Sequence, residues 1–292
     1  MIGSDPENIL VEERIPTTNP EETIRKVIEF FSPYAKNGTL AAIGIASFGP
    51  IDLNLGSPTY GYITSTPKEG WKNVDLHGQI KNKLRIPVAF ETDVNAAAFG
   101  EMYWKKERKQ LDPFVYMTVG TGIGVGVIVN GIPLHGLIHA EAGHCSIPHD
   151  WQKDPFPGVC PFHGDCLEGL ASGFSMYKRW GIAPESLPNT HPAWEIESVY
   201  LAQAIVNLIY AYSPQQIIMG GGVCQHTGLI ESIRSKVLKL NNGYLQSNRI
   251  TNEIDDYIQL PLLGNRSGAF GAIALAIGMK KDLWNNPSNK ST

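Results

Sequence analysis

The spacing of apolar positions changes several times along the chain, and each change marks an element. Over residues 17–31, TTNPEETIRKVIEFF, the residues Ile24, Val27, Ile28 and Phe31 recur at the spacing of one helical face. Asn19 is placed to cap that helix, Pro20 to open it, and Glu22 to return a capping-box bond. The pattern then tightens. Leu40 to Ser47 is a short apolar run that ends at Phe48-Gly49-Pro50, which predicts a buried strand and a turn, a usual place for a ligand. Pro87 to Thr92 predicts a second strand running into Asp93, and the alanine-rich VNAAAFGEMYWKK that follows predicts a closely packed helix. Phe114 to Val119 and Gly124 to Val129 predict two strands about the turn Gly120 to Ile123, with a second hairpin turn at Asn130-Gly131. Further on come a helix over Val199 to Tyr212, a brief strand over Gln216 to Met219 ending in three glycines, and a helix of small residues over Ser267 to Met279. Residues 283–292 read as a frayed tail.

Strand and helix patterns alternate, so the fold class is α/β. Length and composition are compatible: 292 residues with 42% hydrophobic content can build a substantial core. A net charge of −4 with no long Lys/Arg run gives no electrostatic reason to expect nucleic acid or a membrane surface. No apolar stretch approaches a membrane span, and MIGSDPENIL lacks the basic and apolar regions of a signal peptide, so the expected location is the cytoplasm.

Four residues carry the most specific chemistry. His144, Cys160, His163 and Cys166 form H-x15-C-x2-H-x2-C, the donor set of a closed structural zinc site. The short element lies in PFPGVCPFHGDC, a loop with little core of its own that a metal can hold. Cys145 and Cys224 read as buried thiols outside the site, and His139, His149 and His191 as bystanders.

The turn VGTGIGVG, residues 119–126, has bare backbone N–H groups that can approach an anion, with Thr121 adding a hydroxyl. It matches neither a dinucleotide fingerprint nor a P-loop, and a glycine-rich hairpin can also serve only a tight turn. Asp93 stands where a carboxylate can accept a proton from a substrate hydroxyl, though a strand-end aspartate can also be only a helix cap. Glu141, His144 and Glu168 are the remaining placed polar groups. Carboxylates and imidazoles suit the vicinal hydroxyls of a sugar, and zinc would orient all three.

Taken together, TDVNAAAFGE, VGTGIGVGV, EAGH, CPFHGDCLEG, IIMGGGV and SGAFGA resemble the ROK family of sugar kinases and repressors. ITSTPKEGWKNVDL, and Thr92 where glucokinases commonly have asparagine, point within it to the bacterial fructokinases. The resemblance implies two actin-like (ribonuclease H-like) α/β ATPase domains with the active site in the cleft between them. The expected division is 1–112 and 113–266, with the 267–280 helix packing back on the first. It implies a kinase that uses Mg-ATP and a hexose, with structural zinc, assembled as a homodimer. Asp93 would be the base, and Glu141, His144 and Glu168 the sugar contacts. Gly120, Thr121, Gly122 and Gly124 would form the phosphate turn, with Gly220, Gly221, Gly268, Ala269 and Phe270 near the nucleotide. His163 sits where many relatives have cysteine, an acceptable exchange for zinc. Family members open with a strand and a D/E-x-GGT-K turn, and this sequence begins about where the second strand is expected. The expectation is that these residues alone are poorly stable and weakly active. A kinase for glucose, mannose or another hexose, a sugar-responsive repressor and an inactive sugar-binding protein stay open as alternatives.

Overall fold

The computed structural model describes residues 1–281, so the expected frayed tail lies outside the described residues. The described residues divide into two compact units, 1–109 with 128–140 and 266–281, and 110–127 with 141–265. No helix among the described residues is long and apolar enough to cross a membrane.

The first unit opens with an antiparallel pair, β1 (Ile2–Asp5) and β2 (Asn8–Val11). Helix α1 (Pro20–Lys36) follows, with Asn19 Oδ1 accepting from the Glu22 N–H at 2.9 Å as its pattern predicts. The return half of the capping box is not made. Glu22 is engaged instead by the Thr18 hydroxyl at 2.6 Å and Lys26 at 2.7 Å, partners on either side of it on the helix surface. Ile24 is buried and Val27, Ile28 and Phe31 pack around it, against β3 (Ile43–Ser47). That strand starts three residues later than the apolar run suggests, because pairing begins only where Ile43 N–H reaches Pro87 C=O. A small hairpin of β4 (Tyr62–Ile63) and β5 (Val74–Asp75) leads to α2 (Leu76–Leu84).

Strand β6 (Val88–Thr92) pairs in parallel with β3, Ile43 opposite Val88 and Ser47 opposite Thr92, so the two strands end side by side. Helix α3 (Asp93–Tyr103) begins directly at that end. A groove of about 620 Å³ lies between β1 and the segment entering β3.

The second unit is built on β7 (Phe114–Val119) and β8 (Ile123–Val129), joined by the glycine turn. The last residues of β8 pair with β9 (Ile132–Pro133) through Asn130 and Gly131, whose φ values of 56° and 74° are those a two-residue hairpin requires. Residues 128–140 cluster with the first unit, although the sequence reading groups them with the second domain. Helices α4 (Leu167–Ala171), α5 (Gly173–Trp180) and α6 (Ala193–Tyr212) follow. β10 (Gln216–Gly220) then lies parallel to β7, with α7 (Leu229–Asn241), α8 (Asn248–Thr251), α9 (Ile254–Tyr257) and the edge strand β11 (Ile258–Gln259) after it.

The final helix α10 (Ser267–Lys280) belongs to the first unit and packs on α3. The small residues explain how closely: a Cβ added at Gly271 would lie 1.8 Å from the Ala96 carbonyl oxygen. Glu101, fully buried on α3, takes Arg108 and the Ser267 hydroxyl, the latter at 2.8 Å, and so anchors the start of α10.

Candidate active site

Two constellations of candidate functional side chains emerge, one in each unit. In the first, Asp93 is the opening residue of α3 and is not its cap. Thr92 does that work, its Oγ1 accepting from Asn95 N–H at 3.1 Å, which leaves the Asp93 carboxylate available. One Asp93 oxygen accepts from Val94 N–H at 2.8 Å. The residue is exposed between two buried neighbours, with protein packed about its carboxylate. Desolvation raises its pKa to about 6, against the opposing pull of the Val94 and Asp93 N–H groups. Gly268, at the start of α10, sits beside the Asp93 carbonyl, and Ala269 lines the groove near β1. Phe270 is buried under the Arg266 guanidinium, and its carbonyl accepts from Trp104 Nε1 at 2.9 Å.

The second constellation gathers around the glycine turn. EAGH folds as a tight turn, residues 142–144, against the start of β8. The approach is so close that a Cβ at Gly143 would fall 2.0 Å from the Ile123 carbonyl oxygen, so position 143 tolerates no side chain. Glu168, in the first turn of α4, reaches the same place: its Oε2 accepts from Ile123 N–H at 2.9 Å. Its Oε1 lies 3.9 Å from His144 Nε2. Thus His144 and Glu168, grouped with Glu141 in the sequence, come together beside the glycine turn, and Glu141 immediately precedes the 142–144 turn.

The other ring nitrogen of His144 faces the cysteines. Its Nδ1 is 3.6 Å from both Cys160 Sγ and Cys166 Sγ, and Cys160 Sγ is 3.5 Å from His163 Nδ1. All four donor atoms lie within 4.8 Å of one another. Tetrahedral zinc with ordinary Zn–S and Zn–N bonds sets sulfur and nitrogen ligands about 3.6 Å apart. The donor set and its spacing therefore fit that ion. Cys145 departs from expectation: it is exposed, because the backbone turns extended after His144 and carries the next side chain away from the cluster. Cys224 is buried as expected.

His149 braces the loop instead, bonded to Asp165 at 3.0 Å and to the Asp154 carbonyl at 2.9 Å. Asp154 in turn is 4% exposed and receives Arg179 at 3.0 Å and the Tyr200 hydroxyl at 2.7 Å.

Known proteins are similar to this chain over nearly its whole length. Residues 1–279 match the ROK family. The chain belongs to the ROK family. A fructokinase of Lactococcus lactis subsp. cremoris is 45% identical over 273 residues, covering 93% of this chain and 90% of that protein. A fructokinase of Zymomonas mobilis is 43% identical over 284 residues, covering 95% and 91%. Among solved structures, the ROK hexokinase of Thermus thermophilus aligns with a TM-score of 0.72 at 22% identity, covering 91% of this chain and 89% of its own, which establishes the shared fold.

Within this ROK chain, Gly120 and Thr121 open onto a cavity of about 860 Å³ in the second unit. Its other walls escaped the sequence reading: Phe174 and Tyr177 on α5, and Trp194 on α6 stacked on His226 with ring centroids 3.5 Å apart. Aromatic residues scattered between 174 and 226 show no common spacing, so only the fold brings them to one cavity. Gly220 and Gly221 line a smaller cavity of about 300 Å³ with Leu260, Pro261 and Asn265. Glu91 was also passed over as ordinary strand. It is 3% exposed, and its carboxylate accepts from Thr92 N–H and the Asn95 amide.

Proposed function

We propose that this ROK protein is an ATP-dependent hexose kinase whose preferred substrate is fructose, giving fructose 6-phosphate and ADP. One observation supports it above others: Glu168 bonds the backbone of the glycine turn with one oxygen and approaches His144 with the other. A carboxylate and an imidazole suited to sugar hydroxyls therefore stand against the backbone amides suited to phosphate. The choice of fructose rests on fructokinases at 43–45% identity over more than nine-tenths of the chain.

In this reading Asp93 takes the proton from the attacking hydroxyl as that oxygen bonds to the γ-phosphorus and the bond to the β,γ-bridging oxygen breaks. A carboxylate with a pKa near 6 is mostly ionised at neutral pH yet basic enough to share that proton. Gly120, Thr121, Gly122 and Gly124 orient the phosphates, and the cavity walled by Trp194 and His226 takes the nucleotide base. Magnesium bound with the nucleotide would neutralise phosphate charge. Glu141, His144 and Glu168 hold the sugar. His144, Cys160, His163 and Cys166 hold a structural zinc that fixes the loop and the His144 ring.

Release of ADP, measured across fructose, glucose, mannose and galactose at saturating Mg-ATP, tests this. The expected result is a kcat/KM for fructose at least about tenfold above any other hexose. A higher value for glucose or mannose rejects fructose as the substrate, and the absence of any sugar-stimulated release rejects a kinase.

A further inference from the structure

The loop after β9 carries two histidines that serve two neighbouring strand ends. His139 is buried and accepts the Ile51 N–H on Nε2 at 3.0 Å, which fastens the loop to the turn following β3. His135 reaches the end of β6, where its Nε2 lies 2.7 Å from Glu91 Oε2. A carboxylate can only accept in that bond, so Nε2 carries the proton. Glu91 itself cannot swing away, because its other oxygen is held by Thr92 N–H and the Asn95 amide.

The imidazole is placed differently from its partner. Its side chain is 43% exposed against 4% for Glu91, and among the described residues no protein group bonds Nδ1. A buried acid that needed only a partner would be served by a buried donor. Here the acid fixes the plane and tautomer of a ring whose other edge faces solvent, at the C-terminal ends of parallel strands, where ligands of α/β sheets bind. Burial pulls the His135 pKa down, but the hydrogen bond and charge of Glu91 more than offset it, so the ring binds its proton more tightly than a free histidine. Glu91 is also two residues from Asp93.

We propose that His135 is a substrate-contacting residue that helps determine sugar specificity, its Nδ1 hydrogen-bonding a hexose hydroxyl next to the one that Asp93 deprotonates. This rests on the reading of the chain as a hexose kinase. Glu91 is the positioning residue behind it, acting on the sugar only through the ring.

Three variants separate a sugar contact from mere support of Glu91. In His135→Asn the amide nitrogen overlies Nδ1 but does not reach Glu91; in His135→Gln it reaches Glu91 but vacates Nδ1; His135→Ala loses both. Fructose affinity is read by calorimetry without nucleotide, alongside KM for fructose and for ATP, kcat and thermal melting. Loss of one such hydrogen bond weakens fructose binding roughly tenfold, so Ala and Gln should show that loss with the ATP KM unchanged, and Asn should recover part of it. Unchanged fructose affinity in Ala overturns the proposal, as does rescue by Gln and not by Asn. A kinase reading that fails shows itself separately, as no ADP release from the unaltered chain, while the calorimetric comparison still decides the role of His135.

Discussion

The acidic groups of the first unit and those of the second are held by different physics. Glu91 and Asp93 stand where a strand runs straight into an 11-residue helix, with a ladder to β3, a Thr92 cap and tight α3–α10 packing fixing the backbone. Glu141 and Glu168 stand on a short turn and a five-residue helix, with a loop rich in proline and glycine between them. Regular structure positions the first pair by itself. The second pair depends on a few cross-links: Gly143 against Ile123, Glu168 on Ile123 N–H, the bonds about Asp154, and the four-residue cluster that shares His144 with the site. A metal there would supply the rigidity that a sheet supplies elsewhere.

The sharpest way to break this contrast is at Asp93. Asp93→Asn keeps shape and removes the proton acceptor, so kcat should fall by about 10³-fold, within the range usual for a general base. Stability should hold or rise. With a folded pKa of about 6 against 3.8 unfolded, the folded state binds the proton more tightly, so ionisation costs stability progressively as pH climbs through that window. A substantial drop in melting temperature, or a kcat within about tenfold of the unaltered chain, would remove Asp93 from the role of base.

Cys160→Ser addresses the other region. Losing one ligand of a structural metal weakens its hold, so bound zinc per chain should drop and the melting temperature fall by roughly 5–10 °C. Fructose KM should rise about tenfold or more while ATP KM changes far less, because His144 links the cluster to the groups proposed to hold the sugar. Chelation of the unaltered protein should reproduce both effects. If zinc content falls and fructose KM does not move, the cluster holds the loop alone and has no part in the sugar site.

What could be read beforehand follows the same division. The α1 face, the β6–α3 junction and the β7–β8 turn were legible because periodicity and capping chemistry act within a dozen residues. Three members of the His/Cys cluster were legible because C-x2-H-x2-C is a local spacing. The start of α6 was not. Its apolar pattern is broken by Glu195 and Glu197, yet Glu197 is 1% exposed and burial drives its pKa far up, so a residue that reads as polar behaves as core. Cys145 was misread because exposure there depends on one backbone turn after His144. Trp194, His226 and the Glu91–His135 pair lay beyond sequence reasoning for a single reason: their partners are 32 and 44 residues away, and nothing local announces either meeting.

The smallest effect, and the one that isolates the first region most cleanly, is in the pH dependence. A base must be ionised to act, so kcat/KM for fructose should fall about tenfold per unit below a pKa near 6 and be flat above it. Desolvation at position 93 raises that value, and it can be relieved. In Asp93→Glu the longer side chain reaches further into solvent, so its acid limb should move toward the ordinary glutamate value of about 4.3, on a lower plateau. The limb follows the residue if Asp93 is the titrating base. A limb that stays near 6 in Asp93→Glu would belong to another group, and His135, whose proton affinity Glu91 already raises, would then be tested next with its Asn variant.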